Sequence, residues 1–293
     1  MSTVGVLGMG RMGAAMARRL AESGFDVMVW NRTPARAEEV AKSIGSRHVA
    51  SPAELAGTAP IVVSSLADDR AVEEVHLADD GTLNGAADGM VLLETSTVDP
   101  ATITSLVPRF EGAGAALLDA PVSGSVSLVE QGALTSMVGG DATALERARP
   151  VIDALSAKVF HLGDSGTGAT MKLAVNALVH ATNLAISEAL VLAERAGLDR
   201  ERAYEVFASG AAASPFVLYK REAFEHPDEA PVAFSLDLVR KDLDLILGLA
   251  RRLEVPMAQG DTTASVVDRA ISGGLGAADM SALAVHLRQT LEG

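Results

Sequence analysis

Short apolar runs rich in valine, isoleucine and leucine recur through the first half of the chain, at residues 4–7, 27–30, 61–64, 91–94, 117–119, 137–139 and 159–162. Most are apolar at consecutive positions rather than alternate ones, the pattern of strands buried on both faces of a parallel sheet. Between them lie alanine-rich stretches such as 12–23, 35–44 and 100–111, whose apolar positions return every three or four residues, as on one helix face. Strand and helix in regular alternation predict βαβ units. Past residue 167 the strand-like runs stop. A stretch without helix breakers extends from about Thr170 to Ala196, where Gly197 supplies a stop signal. Helical segments follow at 200–209, 234–253, 259–272 and 280–290. The chain is therefore expected to form an α/β N-terminal domain (1–163) and an all-α C-terminal domain (164–293) joined by a long interdomain helix. The glycine-rich run at 163–168 would serve as the joint.

Composition narrows the chemistry. A chain of 293 residues has room for two domains. It has no cysteine, which excludes disulfides, thiolate metal sites and a cysteine nucleophile. With 38 Asp and Glu against 24 Lys and Arg the formal charge is −14, which opposes phosphate-backbone binding, so no nucleic-acid partner is expected. The longest run without a charged residue, 173–187, is too short and too polar to span a bilayer. The N-terminus reads as a strand and a glycine turn rather than a signal peptide, so a cytoplasmic protein is expected, without membrane association. The six histidines show no metal-ligand spacing, and no metal is expected.

Gly8-Met9-Gly10-Arg11-Met12-Gly13 follows the first strand and opens the first helix. In that context the first glycine permits a tight turn, the second lets backbone approach a pyrophosphate, and the third lets helix and strand pack closely. The N-terminal domain is thus read as a dinucleotide-binding Rossmann domain. The position that selects between nicotinamide cofactors lies at the end of the second strand, where Asn31, Arg32 and Thr33 stand. An acidic residue that would hold ribose hydroxyls is absent, and a guanidinium suits a 2′-phosphate. NADP(H) is therefore the expected cofactor; the competing reading makes Arg32 a solvated residue at a helix start.

Three more segments carry candidate chemistry. Ser123, Gly124 and Ser125 follow a strand and a proline and can offer N–H groups and hydroxyls to a carboxylate. Lys172 and Asn176 sit at i and i+4 on the long helix, hence on one face. The neighbours of Lys172 are mostly small or apolar, and desolvation lowers a lysine's pKa towards the range useful for acid–base work. Lys241 lies beside Asp242 on a later helix. His180, one turn past Asn176, is read as a packing or solvated histidine.

In order along the chain, Gly-Met-Gly-Arg-Met-Gly at 8–13, Asp-Ala-Pro-Val-Ser-Gly at 119–124, the run from Gly166 through Lys172 to Asn176, and Lys241-Asp242 together resemble the β-hydroxyacid dehydrogenase family. That group includes 3-hydroxyisobutyrate dehydrogenases and glyoxylate/succinic semialdehyde reductases. The resemblance implies that Lys172 is the general acid/base and that Asn176 orients the substrate. It implies that Ser123, Gly124 and Ser125 hold a small carboxylate, and that Leu66, Ala67, Thr97 and Lys241 line the cofactor. Ser125 stands where 3-hydroxyisobutyrate dehydrogenases usually have glycine, which resembles the semialdehyde reductases, although Val126 stands where those usually carry lysine. The expected activity is hydride transfer between NADPH and a small aldehyde acid or hydroxy acid. Imine reductases share the fold and the Asn-Arg-Thr stretch but generally lack the lysine, and a non-catalytic NADP-binding redox sensor would have lost it. The apolar surface of the long helix predicts a homodimer, which the resemblance supports.

Overall fold

The computed structural model describes residues 2–291. The chain divides into two compact units, one ending at Lys172 and the other beginning at Leu173.

In the first unit β1 (Thr3–Leu7), β2 (Asp26–Trp30), β3 (Arg47–His48), β4 (Ile61–Ser64), β5 (Val91–Glu94) and β6 (Ala116–Asp119) form a sheet in the order β3-β2-β1-β4-β5-β6. Every pairing is parallel. The connections are α1 (Arg11–Glu22), α2 (Pro34–Ser43), α3 (Pro52–Thr58), α4 (Asp69–Leu77), α5 (Thr82–Gly85) and α6 (Pro100–Gly112). The two-residue side-chain period explains why the strands are apolar throughout. Val4, Val6, Val27, Val29, Val63 and Leu93 enter one core with Ala15, Met16 and Leu20 of α1. Leu7, Met28, Val62, Leu92 and Leu117 enter the other, with Leu55, Val72, Ile103 and Phe110. The strand order reverses between β1 and β4, and in such sheets the crevice beyond the strand ends at that point is where ligands bind. Gly8 follows β1 and Ser65 and Leu66 follow β4.

The last strands of this unit form a separate sheet. β7 (Val122–Ser123) is antiparallel to β8 (Leu134–Val138), which runs parallel to β9 (Ser156–His161). α7 (Val126–Glu130) and α8 (Ala142–Leu155) connect them. The runs at 137–139 and 159–162 thus overlap the ends of strands outside the main sheet, each overrunning its strand by one residue. The two-residue β7 is too short to leave a periodic signal.

The long helix, α9, spans Thr167–Arg195, three residues earlier than its expected start. The glycines at 166 and 168 do not hold it off, because Asp119 accepts hydrogen bonds from the Gly166 and Ala169 amides at 2.8 and 2.7 Å and caps the helix start. At the other end Gly197, with φ +89°, closes α9 as expected, its N–H donating to Glu194 O and the next amide, Leu198 N–H, to Ala193 O. By length and composition alone α9 suffices to cross a membrane. It nevertheless buries Asn176, His180, Asn183 and Ser187 along one face, as a core helix of a polar-lined protein interior does.

The second unit continues with α10 (Arg200–Ser209), α11 (Pro215–Tyr219), α12 (Arg221–Glu225), α13 (Leu236–Arg252), α14 (Ala258–Ala270) and α15 (Leu283–Gln289). Leu184, Leu190, Tyr204, Phe224, Leu243, Ile246 and Val267 build its core. Phe234 precedes α13 instead of opening it, because Ser235 takes the cap position and accepts from Leu238 N–H. A buried ion pair anchors this segment. Lys220 Nζ donates to both oxygens of Asp279 at 2.7 and 2.8 Å, and Asp279 also accepts from the Ala233, Phe234 and Ser281 amides. Burial pushes the Asp279 carboxyl up, but the Lys220 charge and these hydrogen bonds outweigh it and hold it below the ordinary carboxylate value.

Asp279→Ala, which strands a buried lysine, should lower the stability of the helical unit by about 3–5 kcal/mol in denaturant unfolding, whereas Lys220→Met with Asp279→Leu should restore most of it. Because the folded carboxyl titrates below its unfolded value, its contribution is present at neutral pH and is lost as pH falls below about 4. Asp279→Asn should flatten the stability curve in that acid window.

Candidate active site

The glycine loop joins β1 to α1. Gly8 has φ +91°, and a Cβ there would lie 2.2 Å from Ser65 O, so no other residue fits. A Cβ on Gly13 would lie 1.9 Å from Gly8 O, which lets the first turn of α1 close directly on the loop. At Gly10 nothing lies within 4 Å of the Cβ position, and no side chain caps the amides of α1. Uncapped amides at a helix start, with clear space above the backbone, suit a pyrophosphate. The residues present therefore fit a dinucleotide.

Asn31 braces this loop from the end of β2. Its Oδ1 accepts from Met9 N–H at 2.9 Å and its Nδ2 donates to Thr33 O at 3.0 Å, while Gly8 N–H donates to Trp30 O. The position read as choosing between cofactors thus also shapes the phosphate loop. Arg32 beside it is exposed, 3.9 Å from the Glu74 carboxylate. Such an exposed pair contributes less than about 1 kcal/mol and does not prevent the guanidinium from taking another anion. Leu66 is brought to the same place, its Cδ2 lying 3.0 Å from the Gly8 Cβ position. Leu66 N–H donates to Ser96 Oγ at 2.7 Å, so the loops carrying Leu66 and Ala67 and carrying Thr97 are joined.

The carboxylate-binding candidates lie after β6. Ser123 pairs with Thr135 in the β7–β8 ladder, and Gly124 has φ +145° with a Cβ position 2.6 Å from Leu134. Ser125 precedes α7 without capping it, its hydroxyl sharing a 2.7 Å hydrogen bond with Ser127. Four residues before this loop Asp119 ends β6 and holds the start of α9. Burial pushes its carboxyl up, opposed by the hydrogen bonds from Gly166, Ala169 and neighbouring amides. Lys172, half-buried, sits three residues past Ala169.

In the helical unit the buried stripe of α9 organises around Asp242, which is itself fully buried. Asn176 Nδ2 donates to Asp242 Oδ2 at 2.6 Å, and His180 Nε2 lies 3.5 Å from the same oxygen. Lys241 Nζ lies 3.1 Å from Asp242 Oδ1. The His180 ring is buried and stacks on Phe234, centroids 6.1 Å apart. Two of the expected site residues, Asn176 and Lys241, are therefore brought to one carboxylate. Asp242 entered the sequence reading only beside Lys241, in a motif that carries the resemblance, and without a role of its own. Among the described residues no group of three or more His, Asp or Glu side chains could hold a metal ion.

Comparison with known proteins identifies the family and the fold. Residues 3–163 match the NAD-binding domain of 6-phosphogluconate dehydrogenase, and residues 166–287 match the NAD-binding domain of NADP-dependent 3-hydroxyisobutyrate dehydrogenase. Glyoxylate/succinic semialdehyde reductase 1 of Arabidopsis thaliana is 34% identical over 96% of this chain and 96% of its own length. The crystal structure of a 3-hydroxyisobutyrate dehydrogenase from Salmonella typhimurium superposes with a TM-score of 0.89 at 28% identity, covering 97% of this chain and 99% of that one. An imine reductase from Pseudomonas sp. shares the fold, with a TM-score of 0.67 at 23% identity over 96% of this chain and 98% of its own. The chain belongs to the 3-hydroxyisobutyrate dehydrogenase family of β-hydroxyacid dehydrogenases. It is an oxidoreductase of the nicotinamide dinucleotide class.

Proposed function

We propose that this enzyme reduces a short aldehyde acid of the semialdehyde or glyoxylate type with NADPH, and that Lys172 delivers the proton. The observation that carries the reading is the placement of Lys172 on α9. The helix start is held by Asp119, and Asn176, one turn further along the same helix, is held by Asp242. When bound, the dinucleotide supplies the hydride. Lys172 Nζ gives a proton to the carbonyl oxygen as negative charge develops there, and takes the hydroxyl proton in the opposite direction. Asn176, with its amide nitrogen committed to Asp242, turns its oxygen to orient the substrate. Ser123 and Gly124, with Ser125, receive the carboxylate. The absence of an acid at the end of β2, with Arg32 in its place, supports NADPH over NADH.

A small carboxylate substrate accords with the Arabidopsis relative being a glyoxylate/succinic semialdehyde reductase. The lysine distinguishes this reading from imine reduction and from a redox sensor. The protein is proposed to work in the cytoplasm as a homodimer. On α9, Leu178 and Leu192 are 72% and 73% exposed, and Leu178 borders an apolar groove of ≈ 410 Å³ together with Ala174, Ala181, Leu243, Ile246 and Met257. A second copy of the chain would cover this surface.

Lys172→Ala should lower kcat for aldehyde-acid reduction by about 10²- to 10⁴-fold, the usual worth of a general acid, while dinucleotide binding persists. NADPH should outperform NADH in kcat/KM on glyoxylate or succinic semialdehyde. An unchanged kcat in the variant, or a cyclic imine reduced faster than every aldehyde acid, would overturn the reading. Sedimentation should show a dimer that Leu178→Glu with Leu192→Glu converts to monomer; a monomeric wild type would refute the assembly.

A further inference from the structure

Beneath the cofactor loops lies a chain of buried polar groups that the proposed chemistry does not use. Glu94, the last residue of β5, and His76, near the end of α4, are both fully buried. His76 Nε2 lies 2.9 Å from Glu94 Oε2, and His76 Nδ1 lies 3.0 Å from the hydroxyl of Thr82, also fully buried. The Thr82 hydroxyl has only a 3.4 Å alternative, to Val75 O. The imidazole thus bridges Thr82 and Glu94 through its two ring nitrogens. The other carboxyl oxygen, Oε1, accepts from Ser96 N–H at 2.9 Å. Ser96 Oγ in turn accepts from Leu66 N–H at 2.7 Å. The edge of the imidazole meets Phe110, with centroids 5.9 Å apart at 85°, so the pair is walled by the apolar core.

A buried acid–histidine pair adds little net stability over apolar residues of similar volume, because desolvation offsets the attraction. What this pair does supply is direction. Each Glu94 oxygen has one donor, and the donor on Oε1 belongs to the residue whose hydroxyl fixes the loop after β4. Take away the carboxylate and Ser96 loses the bond that sets its backbone, and Leu66 loses a correctly placed acceptor.

We infer that Glu94 and His76 are positioning residues for dinucleotide binding, acting through Ser96 to hold the Leu66–Ala67 and Ser96–Thr97 loops in register. The inference rests on the reading that Leu66, Ala67 and Thr97 line the dinucleotide. Neither side chain touches cofactor or substrate.

The test is a titration of the full-length protein with NADPH and with NADH, followed by nicotinamide fluorescence, alongside thermal unfolding and steady-state kinetics. Glu94→Leu should raise the Kd of the preferred dinucleotide about tenfold or more by leaving Ser96 N–H without its acceptor, with little change in kcat at saturation. Glu94→Gln keeps an oxygen for Ser96 N–H and can donate its amide N–H to an unprotonated His76 Nε2, so it should stay within about threefold of wild type. Ser96→Ala should raise Kd as Glu94→Leu does, without touching the acid. His76→Leu combined with Glu94→Leu removes the buried polar pair altogether and should recover wild-type thermal stability while Kd stays raised, which guards against a single variant that fails to fold. Wild-type Kd in that stable double variant would overturn the inference and leave the pair a purely structural feature. A wild-type protein that binds dinucleotide, with Thr97→Trp and Leu66→Trp leaving Kd unchanged, would instead overturn the loop assignment on which the inference rests, and the inference with it.

Discussion

The Asp119 carboxylate, seated at the end of β6, accepts two backbone N–H groups from the start of α9, and the placement of Lys172, the proposed proton donor, depends on that seat. The space around it is restricted. A Cβ on Gly139 would lie 2.6 Å from Asp119 Oδ1, and one on Gly168 would lie 2.7 Å from Asp119 O and 2.9 Å from Oδ2. Glycine at both positions lets strand and helix approach closely enough for the carboxylate to reach both amides. Charge-assisted bonds of this kind are directional, so they fix the origin of the helix, and the rigid backbone of α9 carries that position on to Lys172.

The same device recurs across the molecule. Apolar contacts supply the bulk of the folding energy, but they tolerate small slips. Where a loop or helix must stand in one place, a buried carboxylate holds it. Asp242 takes Asn176 and approaches His180 and Lys241. Glu94 takes His76 and Ser96, and Asp279 takes Lys220 and three amides. The chain's acidity thus includes a small internal set of acids tied to donors on other elements, as Glu94 of β5 is to His76 of α4 and Asp242 of α13 to Asn176 of α9.

This explains what was legible in advance. The strands were readable because the sheet is covered on both faces, so Val27 to Val29 and Ile61 to Val63 are apolar at successive positions. The glycine loop was readable because its constraint is local: Gly8, Gly10 and Gly13 answer to backbone within a few residues and to one neighbouring strand. Lys172 and Asn176 stood out through their spacing on one helix. The roles of the buried carboxylates did not, because they lie in partners on other elements, 47 residues away for Asp119 with Gly166, 66 for Asp242 with Asn176 and 18 for Glu94 with His76. Asp119 and Asp242 stood within the motifs that carry the family resemblance, but nothing in the sequence gave either a partner, and Glu94 and Asp279 left no mark beyond an acid among mostly apolar neighbours. The early start of α9 had the same cause: glycines that read as a joint are held by a carboxylate from another strand.

The measurement that addresses this account most directly is single-turnover oxidation of bound NADPH in Asp119→Asn, which replaces one acceptor oxygen with a donor facing an amide. Hydride transfer is expected to slow on the order of 10²-fold, as for a misplaced reacting group, with NADPH affinity close to wild type. Hydride transfer at the wild-type rate in a folded Asp119→Asn protein would contradict it.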